Sequence, residues 1–277
     1  MKKFFASIIF LAFAFSAFAA APKDTLRILA IGNSFSWNAV EQNLHAIADA
    51  DGVCLIIGNM YIGGCSLERH CNNSKNGSTD YSYRFINENN VRRVTKNFTL
   101  EQALADQAWD IVTFQQASHY SGLPGTYEPY LTELIEYVRA RVPAGTQLWW
   151  HQTWAYAKDS KHKAFPDYDS DQDKMYSMIM VASAKACKDH GLKIIPCGTT
   201  MQNIRGTEIG DKVTADGFHL NNLGRYAAAC TWYAAICKEK VTGNSFRPQY
   251  LSEEEVVTAQ KAADAAVKKP FKVSVIK

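Results

Sequence analysis

Residues 26–36 read Leu26-Arg27-Ile28-Leu29-Ala30-Ile31-Gly32-Asn33-Ser34-Phe35-Ser36. The first six are apolar apart from Arg27, the pattern of a strand buried on both faces of a parallel sheet. The run then breaks into Gly32-Asn33-Ser34, a turn that leaves a serine just past the carboxyl end of the strand. In open α/β sheets ligands bind along that edge. A serine in such a turn either caps a helix or carries chemistry. The helical pattern starts later, with Ser36 or Asn38 placed as its cap and Val40, Leu44, Ile47 and Ala48 at helical spacing. Ser34 is therefore the candidate nucleophile rather than the cap.

Outward from this stretch, strands alternate with helices. Asp51-Gly52 closes the first helix, and a second strand over 53–57 leads to Gly63-Gly64. Further strands are expected over 110–114, 147–150 and 193–196. Helices are expected over 100–107, 130–141, 174–190 and 222–238, and a last one, capped by Ser252-Glu253-Glu254-Glu255, runs to about Lys268. This alternation predicts a doubly wound parallel sheet in one domain over 20–277. Residues 68–97 are polar and weakly periodic, and read as a surface excursion with a short hairpin around Asn87 to Asn90. Residues 271–276 read as an extended tail.

Near the far end, Asp216-Gly217-Phe218-His219 opens directly into the helical stretch from Leu220 to Ile236. Three residues apart on one turn, a carboxylate can accept from one imidazole nitrogen while the other faces a serine. A serine hydroxyl is a weak nucleophile until a base takes its proton, and the carboxylate fixes the tautomer that allows this. Ser34, His219 and Asp216 supply all three groups.

Composition bounds the rest. The chain has 277 residues, 47% hydrophobic and 21% charged, ordinary for a globular protein. Lys2 and Lys3, the apolar run from Phe4 to Phe15, and Ser16-Ala17-Phe18-Ala19 form a charged head, a short apolar segment and an Ala-x-Ala site. They predict a signal peptide over 1–19 and an exported chain, periplasmic or secreted. No second apolar stretch is long enough to span a bilayer, and no cysteine follows the cleavage point, so no membrane anchor is expected. Without Lys2 and Lys3 the basic count falls from 30 to 28 against 27 acidic residues, and the net charge from +3 to +1. That balance gives no electrostatic case for nucleic acid or an anionic membrane as partner. Of seven cysteines, an odd count, Cys65 and Cys71 flank a short loop and are expected to bridge. Cys54 and Cys197 lie in apolar runs and read as small buried hydrophobes. There is no Cys-x-x-Cys pair, and the histidines show none of the usual metal-ligand spacings, so neither metal nor cofactor is expected.

Gly32-Asn33-Ser34 after the first strand, Gly63-Gly64 after the second, and Asp216-x-x-His219 before the last core helix resemble the SGNH (GDSL-like) hydrolase superfamily. The resemblance spans Leu26 to Cys237. The Asp110-x-Val112-x-x-Gln115 and Trp150-His151-Gln152-Thr153-Trp154-Ala155-Tyr156 segments are similar to a little-characterised branch found in exported bacterial proteins. The resemblance implies a three-layer α/β/α sandwich around a five-stranded parallel, flavodoxin-like sheet. It also implies metal-free hydrolysis of esters, often acetyl esters on carbohydrates, so the expected partner is an acylated carbohydrate. By it, Ser34 is the nucleophile, His219 the base and Asp216 its orienting acid, with the N–H groups of Ser34 and Gly64 as oxyanion donors. The family's third donor is an Asn in a Gly-x-Asn-Asp motif. Here the matching stretch reads Phe114-Gln115-Gln116-Ala117-Ser118-His119. Gln115 is the candidate replacement, with Gln116, Ser118 and His119 as competitors. Trp149 and Trp150 read as core, whereas Gln116, Ser118, His151 and Trp154 are candidates for a substrate wall. The same machinery also serves an acyltransferase, and a carbohydrate-binding protein on a degenerate scaffold is a third reading.

Overall fold

The computed structural model describes residues 25–277; the signal peptide expected over 1–19 lies outside them. Strand β1 (Thr25–Gly32) pairs in parallel with β2 (Cys54–Tyr61) over its whole length. On its other side it pairs in parallel with β5 (Ile111–Phe114), followed by β6 (Gln147–His151) and β7 (Lys193–Ile195). Side chains alternate between faces. Ile28 and Ala30 point into one core, and Leu29 and Ile31 into the other. Both sets are buried, hence the nearly continuous apolar run that marked this strand.

Two further strands correct the expectation of a five-stranded parallel sheet. β3 (Tyr81–Ile86) and β4 (Arg92–Phe98) form a hairpin whose first strand lies antiparallel to β2, giving a mixed seven-stranded sheet of order β4-β3-β2-β1-β5-β6-β7. The hairpin turn falls at Asn87 to Asn90, where the Asn87 side chain accepts from the N–H groups of Asn89 and Val91. Tyr81 and Tyr83 pack inward from β3, while Arg92, Arg93 and Lys96 leave β4 charged. A charged outer strand protects an open edge from pairing with other chains. Within the parallel strands taken alone the order is 2-1-3-4-5, so the connection reverses between β1 and β5.

Helices cover both faces. On one lie α1 (Ser34–Val40), α2 (Leu44–Ala50), α7 (Cys197–Arg205), α8 (Asn222–Cys237) and α9 (Glu253–Lys268). On the other lie α3 (Leu67–Asn76), α4 (Leu100–Asp106) and α5 (Tyr130–Arg139). The long α6 (Gln172–His190) closes the β7 side and adds residues to both cores. Helix α8 is buried from Leu223 to Ile236 apart from the half-buried Arg225, because α9 covers the side turned away from the sheet. The expected capping box at Ser252 and Glu255 is present, and so is one at Thr99 and Gln102. Among the described residues no helix is long and apolar enough to cross a membrane.

All seven cysteines are free thiols, so the expected Cys65–Cys71 bridge does not form. Cys71 belongs to α3 and donates to the Glu133 carboxylate at 3.0 Å, while Cys65 is buried ahead of that helix. The first helix also begins earlier than its apolar spacing implied, at Ser34. Asn33 caps it, accepting from the Phe35 N–H at 2.9 Å, and Asn38 lies inside the helix.

Candidate active site

The turn at Gly32-Asn33 places Ser34 as the first residue of α1, so its N–H has no partner within the helix. Asn33 is buried and makes three bonds that set this turn. Its Nδ2 donates to the Cys65 carbonyl at 3.0 Å, and its Oδ1 accepts from Phe35 N–H and from Gln115 Nε2 at 2.8 Å. One side chain thus ties β1, the loop after β2 and the end of β5 together. The loop after β2 carries Gly64 at φ +63°, a left-handed conformation that favours glycine and leaves open space over its backbone.

His219 reaches Ser34 from 185 positions away, with Nε2 3.0 Å from Oγ. Its Nδ1 lies 2.7 Å from Asp216 Oδ2, and Asp216 Oδ1 accepts from the N–H groups of His219 at 2.7 Å and Phe218 at 3.1 Å. Burial raises the Asp216 carboxyl, but these ring and backbone hydrogen bonds outweigh it and hold the group below the ordinary carboxylate range. It is therefore ionised at neutral pH, as an orienting acid must be. The turn is fastened from outside as well. Asn38 Oδ1 accepts from Leu220 N–H at 2.9 Å, Trp154 Nε1 donates to the Phe218 carbonyl at 2.8 Å, and Ala157 N–H donates to the Gly217 carbonyl at 2.8 Å. Trp154 in turn stacks flat on Phe35, the neighbour of Ser34, with ring centroids 4.1 Å apart. The clamping roles of Asn33, Asn38 and Trp154 leave no mark in the sequence. Asn38 resembled a helix cap and Trp154 a cleft aromatic.

The structure brings the other expected residues less close to the chemistry. Gln115 is 1% exposed, with its Nε2 spent on Asn33 and its Oε1 2.9 Å from His151 Nδ1. Its amide is therefore turned into the protein as a support for Asn33, which corrects its expected place as a presented oxyanion donor. Gln116 is also buried. It accepts from Leu67 and Ala117 N–H groups and donates to Thr126, pinning the start of α3 rather than facing a substrate. His151 and Trp154 are buried core residues, correcting their expected place in a substrate wall. Trp149 and Trp150 are core, as expected. Ser118 remains half-buried, with Oγ 2.9 Å from the Tyr156 hydroxyl. Beside it His119 and His162 face each other with ring centroids 6.3 Å apart, and His162 packs on Phe218 next to His219.

The bonds around Asn33 also settle a tautomer. The Cys65 carbonyl only accepts, so Asn33 must present Nδ2 to it and Oδ1 to Gln115. Gln115 then offers oxygen to His151, whose Nδ1 carries the hydrogen and whose Nε2 is a bare lone pair. Burial pushes the His151 pKa down to about 3, and burial, aided by Arg69, does the same to His70, which lies 2.9 Å from the Tyr81 hydroxyl. The unfolded chain takes up protons on these rings below about pH 6.5, the folded chain only near pH 3. Their contribution is fully present above pH 6.5 and is lost as the pH falls towards 3. Urea unfolding is expected to lose roughly 2–3 kcal/mol per ring between about pH 6.5 and 4.5. A His151→Gln variant should show a shallower slope, and an unchanged slope would exclude His151 from the effect.

A family model described as "Domain of unknown function (DUF4886)" matches residues 27–266. A crystal structure of a DUF4886 family protein from Bacteroides uniformis ATCC 8492 is 47% identical, covers 91% of this chain and 98% of that one, and superposes with a TM-score of 0.89. A candidate SGNH hydrolase from Slackia heliotrinireducens is 24% identical over 77% of this chain and all of its own, with a TM-score of 0.55. The acetyl xylan esterase AlAXEase is 13% identical over 76% of this chain and 100% of its own, with a TM-score of 0.50. These two likenesses show the SGNH hydrolase fold. Among curated proteins none matches the chain.

Proposed function

The chain belongs to the DUF4886 family and has the SGNH hydrolase fold, and from that premise we propose that it is an exported serine esterase, periplasmic or secreted, that removes acyl groups, chiefly acetyl, from carbohydrates. The observation that carries this reading is the continuous path Ser34 Oγ–His219 Nε2 at 3.0 Å and His219 Nδ1–Asp216 Oδ2 at 2.7 Å. His219 takes the serine proton as Oγ attacks the ester carbonyl, and Asp216 stabilises the imidazolium that forms. The N–H groups of Ser34 and Gly64 are the donors for the developing oxyanion, both backbone and both at the strand edge. His219 then protonates the leaving sugar oxygen, and water repeats the attack on the acyl-enzyme.

Solvent access favours water over a second sugar as the acceptor: the His219 and Asp216 side chains are 30% and 45% exposed. The preference for acetylated sugars draws on the fold shared with an acetyl xylan esterase. A serine-directed fluorophosphonate is expected to label Ser34 in the native protein, and acetylated polysaccharides are expected to release acetate. Labelling with acyl transfer to sugar but no acetate would make the protein a transferase. Sugar binding with no labelling would make it a binding protein.

A further inference from the structure

On the β2 side of Ser34, the active-site edge continues into a step of aromatic rings and guanidinium groups that the triad does not use. Tyr61 ends β2, paired with Gly32 in register, and its hydroxyl lies 3.5 Å from where a Cβ on Gly63 would sit. The ring thus adjoins the loop that carries Gly64. Arg84, on β3, stands 5.5 Å from the Tyr61 ring and 5.9 Å from that of Trp37. Trp37 lies three residues after Ser34 on α1, about 4.5 Å along the helix axis and on a neighbouring face. Arg225, from α8, covers the same indole at 5.1 Å.

The polar groups of this step are incompletely used. Arg84 is fixed by Nε, which reaches both oxygens of the buried Glu41 carboxylate at 2.7 and 2.8 Å, and the terminal nitrogens take no part in that pairing. Arg225 makes one long bond of 3.4 Å to Gln42, and its buried Nε has no hydrogen-bond partner. Arg225 also lines, with Ala215, Asn221 and Tyr250, an open depression of about 390 Å³ that starts one residue from Asp216. Glu255 lines it too, engaged through one oxygen as the cap of Ser252. Arg92 also acts on Glu41 and donates to the Gln42 carbonyl, so two guanidinium groups share the Glu41 carboxylate. Two guanidinium groups gathered on one indole call for an anion, and the planar fork of Arg225 favours a carboxylate.

We propose that Trp37, Tyr61, Arg84 and Arg225 form a subsite for a carboxylate-bearing sugar, a uronic acid residue, next to the ester that Ser34 attacks. This rests on the esterase reading above and names its substrate class. The sugar ring lies against the edge of the aromatic step, whose faces the guanidinium groups cover, and its carboxylate bonds to those groups, chiefly Arg225.

The test compares acetate release from acetylated polygalacturonate and from acetylated xylan by the full chain. The wild type is expected to favour the acidic polymer in kcat/KM by about tenfold, a preference that falls as salt is added. Arg225→Gln should remove most of that preference through KM, and Arg225→Lys should restore part of it. Arg84 is left intact, because removing it would strand the buried Glu41 carboxylate. Equal rates on both polymers, or a preference unmoved in Arg225→Gln, overturns the proposal. Calorimetry with galacturonate oligosaccharides and the Ser34→Ala protein reads the subsite without turnover. Binding there that is lost in the double variant Ser34→Ala, Arg225→Gln supports the subsite even where the wild type releases no acetate, and it is then the esterase reading alone that fails. Binding of a sulfated, carboxylate-free oligosaccharide in preference to the uronate overturns the carboxylate assignment.

Discussion

Replacing Ser34 with alanine is expected to lower kcat on 4-nitrophenyl acetate by a factor on the order of 10⁵ to 10⁶. The size follows from what the hydroxyl alone supplies. His219 and Asp216 stay paired without it, but neither can form the acyl-enzyme, and only the oxyanion donors and binding remain to help a direct attack by water. Oγ bonds to the half-buried His219 Nε2, so its loss leaves no buried group stranded. Urea unfolding should move little, which separates lost chemistry from lost folding. A Ser34→Ala protein that kept even a hundredth of the wild-type rate would remove Ser34 from the nucleophile's role.

Asp216→Asn is expected to lower kcat/KM at neutral pH by a factor of about 10⁴. The change is nearly isosteric, and the remaining oxygen can still accept from the N–H groups of Phe218 and His219. What reverses is the contact at Nδ1. An amide NH₂ facing that nitrogen requires it to accept, and the ring hydrogen moves to Nε2, where it can no longer take the serine proton. Asp216→Ala should lose the turn as well as the tautomer, with a fall in stability that the Asn variant does not show. A rate in Asp216→Asn within tenfold of the wild type would mean that the carboxylate orients nothing.

The parts of this protein that were legible in the sequence are those written in a few adjacent residues. The switch from Ile28-Leu29-Ala30-Ile31 to Gly32-Asn33-Ser34 gives a strand, its end and a presented hydroxyl within seven positions. Asp216-x-x-His219 gives a turn and a paired acid and base within four. The parallel part of the sheet was readable for the same reason. The β3–β4 hairpin was recognisable at its turn, but its membership of the sheet was not, because an outer strand exposed along most of its length lacks an apolar pattern. Helix α3 was hidden by a polar composition, Leu67 to Asn76 having only a narrow buried stripe at Leu67, His70, Cys71 and Ser74. Depth misled most at the site. Gln115 has the chemistry of an oxyanion donor, His151 and Trp154 that of a substrate wall, and all three also that of a packed support. Only the fold, which buries them behind Asn33 and Phe35, separates the two.

The bond from Asn38 to Leu220 joins groups 182 positions apart, beside the 185 that separate Ser34 from His219. Closing a flexible loop of that length costs about 4–5 kcal/mol in chain entropy, more than one or two hydrogen bonds return. The two halves of the site cannot find each other by local attraction, and their meeting depends on α8 packing on α1 and the sheet. During folding, activity should therefore arrive with the last docking event rather than with the first helices. The contact between Ser34 and His219 reports on the finished molecule: a chain that is helical but has not brought these two stretches together has a serine and a histidine, and no bond between them.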